Sequence, residues 1–345
     1  MYVEKRTWSK RGGGTISATS RSAGTCGSRA HRESGADSSP RGADEEADDG
    51  GVEEDDTTHQ LRGAHGTPPS PGARHPPHDR AKLHVMRRLL PVTDDVADRE
   101  WTLAELADAY AYPETDGPWL RANMVSTLDG AAQHEGRSQP ISGSADMRIF
   151  GTLRGLADAV VVGAETVRQE GYRPARAREA FARRRAAAGQ APAPAVAVVS
   201  ASLALDFDLP LFSAPLTPTL VLTGAAAPAD RVRAAEAAGV HVLIAGTGAA
   251  VDPARAVAAL AEHGLTRLLT EGGPRLLGQF VAAGVLDELC LTVSPMLTSG
   301  DAQRIAGGPS VALPKRFSPA SVLEEAGFLF TRYRRTDISG MTRSA

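Results

Sequence analysis

The stretch Leu268-Leu269-Thr270-Glu271-Gly272-Gly273-Pro274-Arg275-Leu276-Leu277 runs from apolar residues through a carboxylate and two glycines into a proline-led helical start. Paired glycines let the backbone come close to a ligand, and the open N–H groups of a first helical turn attract an anion. The chemistry on offer is a phosphate cradle, although the same spacing also suits a plain tight turn. Glu271 sharpens the matter, because a carboxylate beside a phosphate repels it unless it faces a second ligand. Two further segments offer polar groups at strand ends. In Arg121 through Gly130 the amide of Asn123 sits on an apolar run and needs a partner inside the domain or on a ligand, while Asp129-Gly130 also reads as a turn. In Ala159 through Pro174 a branched aliphatic run meets Gly163 and a short helical turn, where Thr166 and backbone N–H groups can serve a phosphate or a ribose. Arg173 and Arg176 follow, suited to a phosphate as guanidinium groups are, or simply solvated.

These residues need a scaffold, and the chain supplies one by alternation. Short apolar runs at Trp119–Val125, Ala159–Gly163, Ala195–Ser200, Thr219–Thr223, Val240–Ile244, Arg267–Thr270, Glu288–Ser294 and Phe328–Arg335 predict strands. Several are continuously apolar and so predict central, mostly parallel strands covered on both faces. Between them, Ser144–Leu156, Arg178–Ala188, Pro228–Ala238, Pro253–His263 and Pro274–Ala283 predict helices, three opened by proline and three followed by Gly239, Gly264 and Gly284. The expected class is α/β, in three layers of helices, sheet and helices.

Composition bounds what surrounds this core. Residues 1–85 are rich in Gly, Ser, Arg, Pro and acidic residues and nearly empty of branched aliphatics, which predicts a disordered tail. The break at Met86 makes that residue a candidate start of translation; residues 86–117 form an extension in which Thr102 caps a short helix, and residues 337–345 form a second disordered end. The two cysteines, Cys26 and Cys290, cannot build a disulfide framework or a thiolate metal site, so no metal is expected. A net charge of −3 names no nucleic acid partner, and without a long apolar run or a secretory leader the expected location is cytoplasmic, away from membranes.

Together the segments resemble the reductase domain of the bifunctional riboflavin-biosynthesis deaminase/reductase, which has a dihydrofolate-reductase-like fold. The resemblance rests on Asn123 with Ser126 through Gly130, Ile141-Ser142-Gly143, Val162-Gly163 with Thr166-Val167, Glu271-Gly272-Gly273-Pro274 with Leu276, and Val285 through Leu289 leading to Pro295. It spans Pro118 to Arg335 and makes residues 118–336 the expected reductase domain. The deaminase half has no counterpart: His31-Arg32-Glu33 fits H-x-E, but no P-C-x-x-C follows. The resemblance implies hydride transfer from NADPH to C1′ of a ribosylaminopyrimidinone phosphate, a small-molecule substrate, and pairing into a homodimer. It implies that Val125 holds the nicotinamide through its backbone, that Gly163, Thr166 and Glu170 lie against the cofactor, and that Gly272, Gly273, Pro274 and Leu276 surround its pyrophosphate. Asn123, Asp129, Ser142, Arg154, Arg176 and Glu271 then face the substrate, with Glu271 and Asp129 the catalytic candidates, either to orient it or to protonate it. Pro140-Ile141-Ser142-Gly143 stands where such enzymes carry an aromatic residue before Ile-Thr-Ser, which leaves open a different heterocycle, such as a pterin, folate or deazaflavin. A nucleotide-binding module without turnover is the remaining alternative.

Overall fold

A computed structural model of the protein describes residues 85–92 and 99–336. The tails expected at the two ends lie outside the described residues, apart from position 85. Ten strands form one sheet. In chain order they are β1 (Arg87–Leu90), β2 (Trp119–Ser126), β3 (Ala159–Gly163), β4 (Ala195–Val199), β5 (Leu220–Thr223), β6 (His241–Ile244), β7 (Arg267–Thr270), β8 (Glu288–Val293), β9 (Phe317–Glu325) and β10 (Phe328–Arg335). Their order across the sheet is β1-β9-β10-β8-β2-β7-β3-β4-β5-β6. From β8 to β6 every pairing is parallel, and β8-β10-β9-β1 continues antiparallel.

The helices are α1 (Leu103–Ala109), α2 (Ser144–Leu156), α3 (Ala164–Gln169), α4 (Glu179–Ala187), α5 (Pro210–Ser213), α6 (Ala229–Ala237), α7 (Pro253–Glu262) and α8 (Pro274–Ala283). Alternate residues of the central strands face opposite ways. Ala159, Val161, Ala197 and Leu222 pack under α7 and α8, with Leu260, Leu277 and Phe280. Val160 and Leu269 pack under α1 and α2, and Val162, Val198 and Val221 under α3, α5 and α6. The three layers expected of an α/β fold are therefore present. Among the described residues no helix is long and apolar enough to cross a membrane.

Local chemistry sets the helix ends. Asp252 caps α7 by accepting the Ala254 and Arg255 N–H groups, and Gly239, Gly264 and Gly284 end their helices at φ of 76°, 75° and 70°, where a Cβ is disfavoured. Thr102 and Glu105 form a reciprocal capping box at the head of α1, as Thr102 was expected to. Thr102→Ala is expected to lower the unfolding free energy by about 1 kcal/mol, read from the midpoint of urea denaturation.

Two strands went unforeseen. β9 carries Pro319 and three exposed or half-exposed small residues around it, a composition that argues against a strand; it is accommodated by a register shift opposite Arg332 and Tyr333 of β10. β1 is four residues long and pairs irregularly with β9, so the 86–117 stretch contributes an edge strand and α1 to the same layers.

One buried cluster fastens that stretch. Arg121 of β2 and Arg332 of β10 both reach Glu288 of β8, at 2.7 and 2.6 Å. The same guanidinium groups donate to the last carbonyls of α1 and the residues after it: Arg121 to Tyr110 O (2.7 Å), Arg332 to Ala109 O (2.6 Å) and to Ala111 O (3.0 Å). Burial works against the Glu288 charge, but the two arginines outweigh it and hold the carboxyl below its ordinary range. Positive groups at the C-terminal end of a helix also satisfy its open carbonyls.

Candidate active site

The parallel strands end on one side in a cavity of about 530 Å³, within the range of small-molecule sites and at the strand edge where α/β folds place them. Its position follows from β7 being short. β7 pairs with β2 only as far as Ala122 against Thr270, so the edge of Asn123, Met124 and Val125 beyond that point has no strand beside it on the β7 side. The chain turns away there through Glu271, Gly272 and Gly273 into α8.

This turn is packed as tightly as its glycines allow. Gly272 has φ of 93°, a conformation that side chains resist, and is joined to Gly273 by a cis peptide. The Gly163 N–H donates to Gly272 O at 3.0 Å, joining the ends of β3 and β7. At Gly273 the backbone angles are ordinary, and the constraint is space: a Cβ there would lie 2.6 Å from the Thr166 hydroxyl oxygen. Gly273 is the N-cap of α8 without any side chain capping the first turn, and Pro274 opens the helix. Thr166, Gly273 and Pro274 border the cavity, so an open helix start and a hydroxyl face it together. Leu276 is buried and lies beside Gly163 and can serve a ligand there only through its backbone. Glu170 is exposed on the cavity rim.

The lining also carries charge. Arg154 of α2 meets Glu271 in a two-pronged pair, Nε to Oε1 at 2.7 Å and a terminal nitrogen to Oε2 at 2.6 Å. Tyr172 donates its hydroxyl to Glu271 Oε2 and accepts from Arg154 at 2.8 Å. Glu271 is 6% exposed and Arg154 24%. The Arg154 guanidinium lies over the Phe150 ring, 4.3 Å from its centre. Burial disfavours the Arg154 charge, yet Glu271 more than compensates and holds the guanidinium above its ordinary range. Burial, then the neighbouring Glu271 charge, pushes the Tyr172 phenol well above its usual range, so it stands as a neutral donor. Arg173 and Arg176 line the same cavity, exposed and without an acceptor among the described residues.

Asn123 is the first residue of β2 beyond the end of its pairing with β7. Its carboxamide oxygen is buried and has no hydrogen-bond partner among the described residues. A buried amide without a protein partner is uncommon and calls for a ligand or water. Val125 is half-buried on the same strand, paired with Thr292 of β8, and like Asn123 lies outside the cavity lining, which Met124 between them reaches.

Two expected substrate residues are engaged elsewhere. Ser142 donates to Asp146 at 2.5 Å, and Asp146 also accepts from the Thr292 hydroxyl at 2.6 Å; this ties the head of α2 to β8 and leaves Ser142 outside the cavity lining. Asp129 likewise lies outside it, exposed, with its oxygens taken by Thr127 and by backbone N–H groups of Thr298 and Ser299. In return, Tyr172, Phe150, Gln133 and Gln303 border the cavity without having been singled out. Tyr172 follows Gly171, whose φ of 58° turns the chain after α3, and nothing in its spacing marks where that turn aims the ring.

Comparison with known proteins agrees in extent and kind. The RibD C-terminal domain family matches residues 118–323. The 2,5-diamino-6-ribosylamino-4(3H)-pyrimidinone 5′-phosphate reductase of Methanothermobacter thermautotrophicus is 31% identical over 195 residues, covering 56% of this chain and 86% of that protein. The enzyme of the same name from Archaeoglobus fulgidus is 26% identical over 224 residues, covering 63% and 99%. Among solved structures, a pyrimidine reductase-like protein of Corynebacterium diphtheriae aligns with a TM-score of 0.60 at 29% identity, over 67% of this chain and 98% of that one. Acinetobacter baumannii RibD shares the fold at 20% identity, with a TM-score of 0.52, over 64% of this chain and 59% of that one.

Proposed function

Because the chain belongs to the RibD C-terminal domain family, we propose that it is an NADPH-dependent reductase of a ribosylaminopyrimidine 5′-phosphate, acting in riboflavin biosynthesis. The observation that carries this reading is a single cavity bordered both by Thr166, Gly273 and Pro274 and by Glu271, Arg154 and Arg176. The first set suits a dinucleotide and the second a polar, anionic second ligand. The residues fit NADPH: the first turn of α8 has no capping side chain, and Gly273 brings bare backbone against the Thr166 hydroxyl at that helix start, which together suit a pyrophosphate. Gly163, Gly272 and Leu276 shape that place from the backbone, and Thr166 and Glu170 offer hydrogen bonds to the rest of the cofactor. The uncovered edge of β2 at Val125 offers backbone groups to a carboxamide.

When bound, NADPH supplies the hydride that turns C1′ of the opened sugar into the CH2 of a ribityl chain. The protein's task is to hold that carbon in place. Of the roughly four lone-pair sites on a carboxylate, Arg154 and Tyr172 occupy three on Glu271. The remaining one is an acceptor for a sugar hydroxyl or amino group, held rigidly by its two protein partners. Arg173 with Arg176 attracts the substrate's phosphate, and the unpartnered Asn123 amide, next to the cavity residue Met124 but outside the lining itself, is left for the same ligand or a water. Asp129 and Ser142 are not assigned contacts with the substrate in this reading.

The test is turnover by the purified full chain with NADPH and either 5-amino-6-(5-phosphoribosylamino)uracil or its 2,5-diamino pyrimidinone counterpart. NADPH consumption with a ribityl product is expected for one of the two. Absence of oxidation with both, alongside tight NADPH binding, would point instead to another heterocycle or to a binding module. The homodimer expected of such domains belongs to the same proposal, and light scattering of the purified chain checks it.

A further inference from the structure

The loop that leaves β2 and the loop that leaves β8 are stitched together at several points. Asp129 Oδ2 accepts the N–H groups of Thr298 at 3.1 Å and Ser299 at 2.6 Å, and Oδ1 accepts the Thr127 hydroxyl. Ser299 and Gly300 both have positive φ, 59° and 76°, so the chain reverses there around the carboxylate. The Leu128 N–H donates to Met296 O at 2.9 Å, and the Ala132 N–H to Gln303 O at 2.7 Å. Further on, the Gly307 N–H donates to Pro274 O at 2.9 Å, which brings the second loop to the head of α8. Ala132, Gln133 and Gln303 border the cavity that also contains Glu271 and Gly273.

We propose that Asp129 is a positioning residue: it latches the 296–303 loop to the end of β2, so that Gln133 and Gln303 stand as one wall of the substrate cavity. This deepens the reductase reading above and rests on it. The two glutamine amides are a donor and acceptor pair suited to the edge of a pyrimidinone ring. Asp129 reaches neither the cavity nor any ligand in it, and its effect passes through the loop. The Thr127 hydroxyl and then the Ser299 N–H keep the carboxyl below its ordinary range, consistent with a group built to accept.

Two substitutions separate a latch from proton chemistry. In Asp129→Asn the amide oxygen still accepts both backbone N–H groups, while the Thr127 hydroxyl turns to Ala131 O, 3.4 Å away, and accepts from the new amide. Asp129→Ala loses the latch altogether. For the alanine variant the expected result is a rise of about tenfold in KM for the pyrimidine substrate. Its kcat and its Kd for NADPH should stay within about threefold of wild type, as should every parameter of the asparagine variant. A second readout needs no turnover: tryptic cleavage at the exposed Arg304 is expected to accelerate in Asp129→Ala and not in Asp129→Asn. Equal loss of kcat in both variants would overturn the latch in favour of acid–base chemistry, and unchanged cleavage in Asp129→Ala would overturn it directly. Should the wild-type chain oxidise no NADPH with the pyrimidine substrates, the reductase reading falls, and the cleavage rates still decide for or against the latch.

Discussion

Gly273→Asp is expected to raise the Kd for NADPH by about 100-fold or more, a loss of roughly 2.7 kcal/mol. Two effects combine. The new Cβ would lie 2.6 Å from the Thr166 hydroxyl oxygen, so either Thr166 or the turn must move. The carboxylate would then occupy the helix start proposed to receive the pyrophosphate, where a second anion is repelled. Gly273→Ala introduces the same Cβ without the charge and is expected to cost about tenfold. Fluorescence titration of NADPH measures both, with thermal melting to show that each variant is folded. Equal affinity of Gly273→Asp and wild type would remove the pyrophosphate from this turn.

Glu271→Gln should act differently. The glutamine keeps the shape but offers only one acceptor oxygen, and its amide nitrogen meets the Arg154 guanidinium donor to donor. Arg154 is then left with an uncompensated charge beside the cavity, even where the amide oxygen takes the Oε2 position and keeps accepting from Tyr172. A fall of about 100-fold in kcat/KM for the pyrimidine substrate is expected, with NADPH affinity changed by no more than about threefold because the backbone of the turn is untouched. Steady-state kinetics together with the same titration separates the two losses. If Glu271→Gln weakens NADPH as much as Gly273→Asp does, the division of the cavity into two ligands is wrong.

The contrast between these residues also marks what the sequence could carry. The strands β2 to β8 and the helices α2, α7 and α8 were legible because periodicity, proline starts and glycine stops are local signals. The glycine turn was legible for the same reason. β9 was hidden by Pro319, whose cost is met only by a bulge that depends on β10. The pairing of charges was hidden by distance along the chain. Arg154 and Glu271 were read as separate ligands of a substrate, yet they lie 117 positions apart and meet each other first. Asp129 illustrates the same limit, since its partners come from a loop 169 and 170 positions later. Asn123 is the reverse case: its need for a partner could be inferred from an amide in an apolar strand, and the fold leaves that need unmet by protein atoms.

The Arg121–Glu288–Arg332 cluster bears on where this enzyme begins and ends as a physical object. The segment shared with the family, residues 118–323, contains Arg121 and Glu288. It excludes Arg332 and the carbonyls of Ala109, Tyr110 and Ala111 on which both guanidinium groups rest. The matched segment and the buried cluster therefore have different limits in this chain. A fragment cut to residues 118–323 would keep every residue of the Gly-Gly turn and the Glu271–Arg154 pair. It would also leave the buried Arg121 guanidinium without the carbonyls that receive it and remove Arg332 and Arg334, two of the three arginines that pair with Glu288, whereas a piece that keeps residues 109–335 keeps the cluster whole.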